Sequence, residues 1–290
     1  MDLLTVGDVM VDVRVEAGAL ARGGDVHGRV LVQPGGTSAN AAVWAASLGA
    51  AARVHGRVGA DLPGRLLREA ITERGVEAEL TVDRDRPTGT MLVVYEEGER
   101  SMVADRGANA RLRPEDLPGR LTAGAVLVSG YLLLQEPGNE AAVAALDRAD
   151  ATWVAVDAAS WPLLEAFGAA RFFRDAVRAN VVLTNEREAR VLTGLGGENA
   201  ARALGERVRV AAVKLGAAGA AVSFDGRFLA APGESIVEVD PTGAGDAFDG
   251  VLLAGLAREM DPEEALHRAC HAGALVAASP SAWPVEGPRP

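Results

Sequence analysis

The chain has 290 residues, a formal net charge of −11, 49% hydrophobic residues and 24% charged ones. That apolar share supplies a core for one large domain, or a domain with an appendage, and excludes disorder as the main state. An excess of 40 acidic over 29 basic side chains repels phosphate backbones and anionic lipid, so no nucleic-acid partner and no membrane-surface role is expected.

The opening LLTVGDVMVDVRV reads as a buried strand running into alternation at Val11, Val13 and Val15. A second alternating stretch, 26–32, follows a Gly-rich turn and completes an antiparallel hairpin with one wet face. Helices are expected at 38–48 and 62–74. Stretches 88–95 and 100–105, around the turn sequence Glu97, Gly98 and Glu99, give another hairpin, and the four strands form a small sheet outside the main body. Beyond residue 124, short apolar strands at 125–129, 153–157, 181–184 and 210–215 alternate with helical stretches at 140–149, 186–193, 244–259 and 262–278. That rhythm is the mark of β-α-β crossovers and a largely parallel sheet.

The single Cys270 cannot form an intramolecular disulfide, and no apolar run approaches the roughly 20 residues of a spanning helix. With an N-terminus lacking a signal-peptide pattern, a soluble cytoplasmic protein is expected. His267, Cys270 and His271 share one helical side, but no fourth ligand is evident and chance packing is the favoured reading. The phosphate-binding sequence G-x-x-x-x-G-K-[ST] is absent, and GLGGEN at Gly194 reads as a helix-ending turn. Lys214 is the sole lysine of the chain.

Residues 239–256, VDPTGAGDAFDGVLLAGL, place Pro241, Gly243 and Gly245 immediately before an apolar helical run. A Gly-rich turn opening a helix presents unpaired N–H groups at the positive end of the dipole, which suits a phosphate or another anion. Asp246 alone could be a dipole-complementing carboxylate. The unbroken register from Asp240 through Thr242, Gly243, Ala244, Gly245, Asp246 and Ala247 to Phe248 is more specific. It resembles the C-terminal signature D-T-x-G-A-G-D-x-F of the ribokinase-like (PfkB) carbohydrate kinases. Residues 34–76, with paired glycines, an Asn and a G-x-D-x-x-G run at Gly59, Asp61 and Gly64, resemble the family's other signature. TNEREA is similar to its N-E-x-E motif and VKLGAAGA to its nucleotide-side loop, so four motifs in the family's order span almost the whole chain.

The resemblance implies an α/β fold with a three-layer α/β/α ribokinase-like core over 1–10, 35–85 and 108–290, and a small β-sheet lid over 11–34 and 86–107. It implies ATP-dependent phosphorylation of a sugar or sugar-acid hydroxyl, with Mg2+ and in some members a monovalent cation. Asp246 stands where the family has its base, and the backbone N–H groups of Gly243, Ala244, Gly245 and Asp246 where it has its anion hole. Asp12, Gly35, Gly36 and Asn40 fall on the sugar side. Asp12 could equally be a solvated edge-strand residue and Asn40 a first-turn residue with a local hydrogen bond. Arg106 either reaches substrate or phosphate or makes a structural ion pair. Asn185, Gly216 and Gly219 fall on the nucleotide side, where Lys214 points to phosphate or is a surface lysine. Glu188 matches the residue that organises magnesium, usually through water, while Glu186 and Glu188 also suit a helix start. Asp240 and Thr242 match part of a monovalent-cation site, but Ser281 stands where the family often has Gly and Val285 where a Ser ligand would fall.

GGTSAN departs from the GGKGAN run of ribokinases, which counts against ribose, while VKLG and Arg106 at the lid hinge lean toward a 2-keto-3-deoxy sugar acid or fructose. A nucleoside or pseudouridine kinase would need an aromatic platform, and none is obvious beside Asp12 or Asn40. A catalytically silent sugar-binding relative is opposed by the intact GAGD run. A homodimer through the lid is implied by the family alone.

Overall fold

The computed structural model describes residues 1–21, 23–96 and 99–285, so the expected turn residues Glu97 and Gly98 lie outside the described residues. In chain order the first part runs β1 (Leu3–Val6), β2 (Met10–Ala17), β3 (Gly28–Gly35), α1 (Thr37–Ser47), β4 (Ala52–Gly59), α2 (Leu62–Glu73), β5 (Val76–Asp83), β6 (Gly89–Glu96) and β7 (Glu99–Asp105). The middle contains β8 (Leu121–Thr122), β9 (Ala125–Val128), α3 (Gly130–Leu133), α4 (Asn139–Arg148), β10 (Ala149–Asp150), β11 (Trp153–Asp157), α5 (Trp161–Phe167) and α6 (Ala169–Asp175). The last part adds β12 (Val181–Asn185), α7 (Glu186–Thr193), α8 (Gly197–Gly205), β13 (Val210–Lys214), β14 (Ala220–Phe224), β15 (Arg227–Ala231), α9 (Ala244–Ala257) and α10 (Pro262–Ala277).

Nine strands form one sheet in the order β15-β14-β13-β12-β11-β9-β1-β4-β5, parallel except for β14 and β15. Its central strands are apolar on both faces because helices cover both. Leu3, Ala125 and Leu127 enter one core with α1, α2, α9 and α10, while Leu4, Val6, Val126 and Val128 enter the other with α3 to α8. The chain thus folds into three layers, and the carboxyl ends of β1, β9, β11, β12 and β13 open onto one rim, where ligands bind in open α/β sheets.

A second sheet of order β3-β2-β6-β7 stands beside this rim. The two hairpins expected from alternation are present, and they join through a parallel seam of β2 against β6. Strands β4 and β5 escape a search for short apolar runs because ARVHGRVG and VEAELTVD carry Arg, His and Glu on one side near the sheet edge. Their larger buried apolar residues are Val54, Val58, Val76 and Leu80, enough to pack α1 and α2 but too sparse to announce a strand.

Candidate active site

The floor of the rim is the turn into α9. Gly243 adopts φ 85°, a left-handed conformation that glycine takes without a Cβ penalty, and caps the helix with no side-chain bond. Asp240 shapes the approach, accepting from the Thr242 N–H at 2.9 Å. The Ala244 N–H donates to the Pro241 carbonyl at 3.1 Å, so of the four expected anion-hole donors this one is already engaged in the turn. Gly245 and Asp246 supply first-turn N–H groups at the positive helix end, facing the cavity.

Asp246 lies deep in the protein with an open edge on that cavity. Burial raises its carboxyl to about 6, the Asn40 hydrogen bond opposes this, Asp157 adds to it, Lys214 again opposes and Asp8 adds. Asn40 Nδ2 donates to Asp246 Oδ2 at 2.7 Å, so its amide is directed at the expected base. Asp12 belongs to the same group: burial first, then the charges of Asp246 and Asp240, push its carboxyl up to about 7. It lies over Gly35, where any Cβ would overlap its carboxylate, and Gly36 starts α1 directly beneath Asp8. These relations replace the reading of Asp12 as a solvated edge residue.

Arg106 resolves as a buried ion pair. Its guanidinium donates to Asp8 Oδ1 at 2.5 Å and to the Tyr131 carbonyl at 2.7 Å, while Ser129 Oγ donates to the other Asp8 oxygen at 3.0 Å. Asp240, expected at a monovalent-cation site with Thr242, has its second oxygen engaged by Arg14 of β2 at 2.8 Å. A guanidinium thus already matches the charge of this carboxylate.

On the other side of Asp246, Lys214 ends β13 and points inward. Its Nζ donates at 2.9 Å to Asp157 Oδ2 and to both oxygens of Asp249. It is no surface residue: two carboxylates match its charge and with Glu188 hold its pKa above the ordinary value against the cost of burial, while a Cβ on Gly245 would lie 3.4 Å from its Nζ, so it also stands beside the helix N-terminus. Asn185 caps α7 and forms a reciprocal capping box with Glu188. Glu188 is 2% exposed, and burial, reinforced by Asp157, raises it to about 7. Asn185, Glu188, Lys214, Gly216 and Gly219 all line one cavity of about 770 Å3 that ends at Gly245 and Asp246, a size suited to a nucleotide. Among the described residues no group of three or more acidic, His or Cys side chains is arranged as a direct metal cage. A buried carboxylate in the cavity wall beside an amide does fit a divalent ion held through water and phosphate oxygens.

Several site residues escape the sequence reading. Asp8, Asp157, Tyr131 and Trp283 carry no motif of their own, and Asp249 stands one residue beyond the D-T-x-G-A-G-D-x-F register; the lone Lys214 is the one sequence signal near them. Tyr131 brings one aromatic side chain to the neighbourhood of Asp8, Asp157 and Asp246. It is half-buried, and its hydroxyl pKa is raised by burial and by the charges of Asp246, Asp157 and Asp8. His271 pairs with Glu234 at 2.8 Å, while Cys270 only lines the cavity.

This geometry can be set beside known proteins. The model for the pfkB family carbohydrate kinases matches residues 1–285. A fructokinase of Klebsiella pneumoniae is 30% identical over 94% of this chain and 92% of its own length. A 2-dehydro-3-deoxygluconokinase of Thermoproteus tenax is 32% identical over 83% of this chain and 78% of its own. Among solved structures, the fructokinase of Vibrio cholerae O395 with fructose, ADP and calcium ion bound superposes with a TM-score of 0.80 at 27% identity, over 97% of this chain and 94% of that one. The likeness runs along nearly the full length, and the chain belongs to the pfkB family of carbohydrate kinases, ATP-dependent phosphotransferases acting on a sugar hydroxyl.

Proposed function

We propose that the chain phosphorylates a neutral sugar held between the small sheet and the rim of the core, with Asp246 accepting the proton of the attacking hydroxyl. The observation that carries this reading is the placement of Asp246: a buried carboxyl raised to about 6, at the mouth of a helix N-terminus, between an acceptor wall and a nucleotide-sized cavity. A base with a pKa near the working pH is well matched to proton transfer. The N–H groups of Gly245 and Asp246 stabilise charge on the phosphoryl oxygens, while Asp12 orients sugar hydroxyls. Asn185 and Glu188 would hold a magnesium ion through water, and that ion would supply charge neutralisation to the phosphates.

A neutral acceptor follows from charge. The cations nearest the acceptor wall are already matched, Arg106 by Asp8 and Arg14 by Asp240, while Asp12 and Asp246 face the same space. A sugar carboxylate there would meet acidic groups and no unmatched guanidinium. This changes the leaning toward a sugar acid drawn from the sequence. A second reading is a nucleoside acceptor, with Tyr131 as the aromatic residue near Asp246. The test is ADP release with ATP and magnesium across fructose, ribose, 2-keto-3-deoxygluconate and adenosine. Turnover is expected on fructose or ribose; turnover confined to the sugar acid overturns the charge argument, and turnover confined to adenosine favours the second reading.

A further inference from the structure

We propose that Trp283 is a positioning residue for phosphoryl transfer: its indole N–H fixes the Asn40 amide so that the NH2 end faces Asp246. The inference rests on Asp246 being the base. It goes beyond that reading by giving a role to a residue outside every motif of the chain.

Two hydrogen bonds in series carry it. Trp283 Nε1 donates to Asn40 Oδ1 at 2.8 Å, and Asn40 Nδ2 donates to Asp246 Oδ2 at 2.7 Å. The two ends of an amide are nearly equal in shape, so packing alone cannot choose between them. An indole N–H can only donate, and therefore accepts only one orientation, with the carbonyl toward Trp283 and the NH2 toward the carboxylate. The opposite orientation would set N–H against N–H and carbonyl against carboxylate. Asn40 is 3% and Trp283 4% exposed, so water cannot readily take over either role. With Oδ2 held by Asn40, the remaining oxygen of Asp246 is available to a substrate hydroxyl.

The surrounding contacts show how the segment around Trp283 is held at this depth. Trp44 Nε1 donates to the Ala282 carbonyl at 2.8 Å, and Arg74 donates to the Pro284 carbonyl at 2.6 Å with its guanidinium 5.8 Å from the Trp283 ring centre. A Cβ on Gly243 would lie 2.7 Å from that of Ala282, so the segment packs against the catalytic turn itself.

The experiment is a double-mutant cycle, read with ATP and whichever sugar of the panel above turns over fastest. Trp283→Phe keeps a ring but removes the donor; kcat is expected to fall about five- to tenfold, with KM for ATP changed less than about twofold. In an Asn40→Ala background the same substitution should change kcat by less than about twofold, since the group it acts through is gone. Trp44→Phe, which loosens the segment without touching Asn40, should lower Tm and leave kcat within about twofold. Equal losses in both backgrounds, an unchanged kcat in Trp283→Phe, or an equal loss in Trp44→Phe each overturn the proposal. Should Trp283→Phe fail to fold, side-chain NMR of the unaltered protein decides. Titratable groups around Asp246 include Asp8, Asp12, Asp157, Lys214 and Tyr131, so the readout is taken against Asp246→Asn. The Trp283 indole and Asn40 amide resonances should shift with one common midpoint that disappears in Asp246→Asn, and an unmoved indole overturns the proposal. Full turnover in Asp246→Asn would instead remove the base assignment, whereas a dead Asp246→Asn enzyme with additive Trp283 and Asn40 effects removes this inference alone.

Discussion

The phosphoryl-side turn and the acceptor-side wall meet at Asp246 but are made of opposite materials. The turn is seven consecutive residues, 240–246, whose donors are backbone N–H groups set by one left-handed glycine and one Asx bond. The wall draws Asp8, Asp12, Gly35, Asn40, Arg106 and Tyr131 from separate parts of the chain, and its polar atoms are held by ion pairs and amides. A backbone donor has neither a rotamer nor a pKa to lose. Each group of the wall depends on a partner, so the turn should tolerate side-chain changes that disable the wall.

The sharpest way to break this contrast is Asp246, the one side chain common to both. Asp246→Asn preserves first-turn hydrogen bonding and should lower kcat by about two to four decades while ATP binding persists. In the unaltered enzyme kcat/KM should fall as pH drops through about 6, because the carboxyl must be ionised to accept a proton. Retained turnover in the Asn variant would reduce Asp246 to a dipole-complementing residue. Next in size is Lys214→Met, which strands Asp249 and Asp157 without their cation and should cost about 3 to 5 kcal/mol in urea unfolding. A negligible loss would mean that the carboxylates take up protons at little expense.

On the wall, Asp12→Ala should raise KM for the sugar by about one to two decades and leave that for ATP nearly unchanged, as one charge-assisted hydrogen bond contributes about 1.5 to 3 kcal/mol. An equal loss of ATP affinity would move Asp12 off the acceptor side. The smallest effect is expected from exchanging sodium for potassium. Asp240 is already neutralised by Arg14, so initial rates in the two salts should nearly coincide; a many-fold activation would show that the ion displaces the guanidinium.

The same contrast explains what could be read before the fold was known. Gly243 to Asp246 are contiguous, so the turn and its helix stand out in the sequence. Helix α7 and strand β11 were legible to the residue because capping chemistry and apolar runs are local. Asp157, Asp249 and Tyr131 were not, since each becomes a site residue only when β9, β11, β13 and α9 converge on one rim. Arg106 was left between two roles because an ion pair spanning 98 residues of sequence has no local mark.

The parallel seam between β2 and β6 has a consequence for how the small sheet is held together. An isolated two-stranded hairpin is at best marginally stable in water. Each excursion of the chain supplies one such hairpin, and between them lie α1, β4, α2 and β5 of the core. The seam pairs Met10 with Gly89 across these core elements, so the two hairpins support each other only where the core edge brings the start of β6 alongside β2.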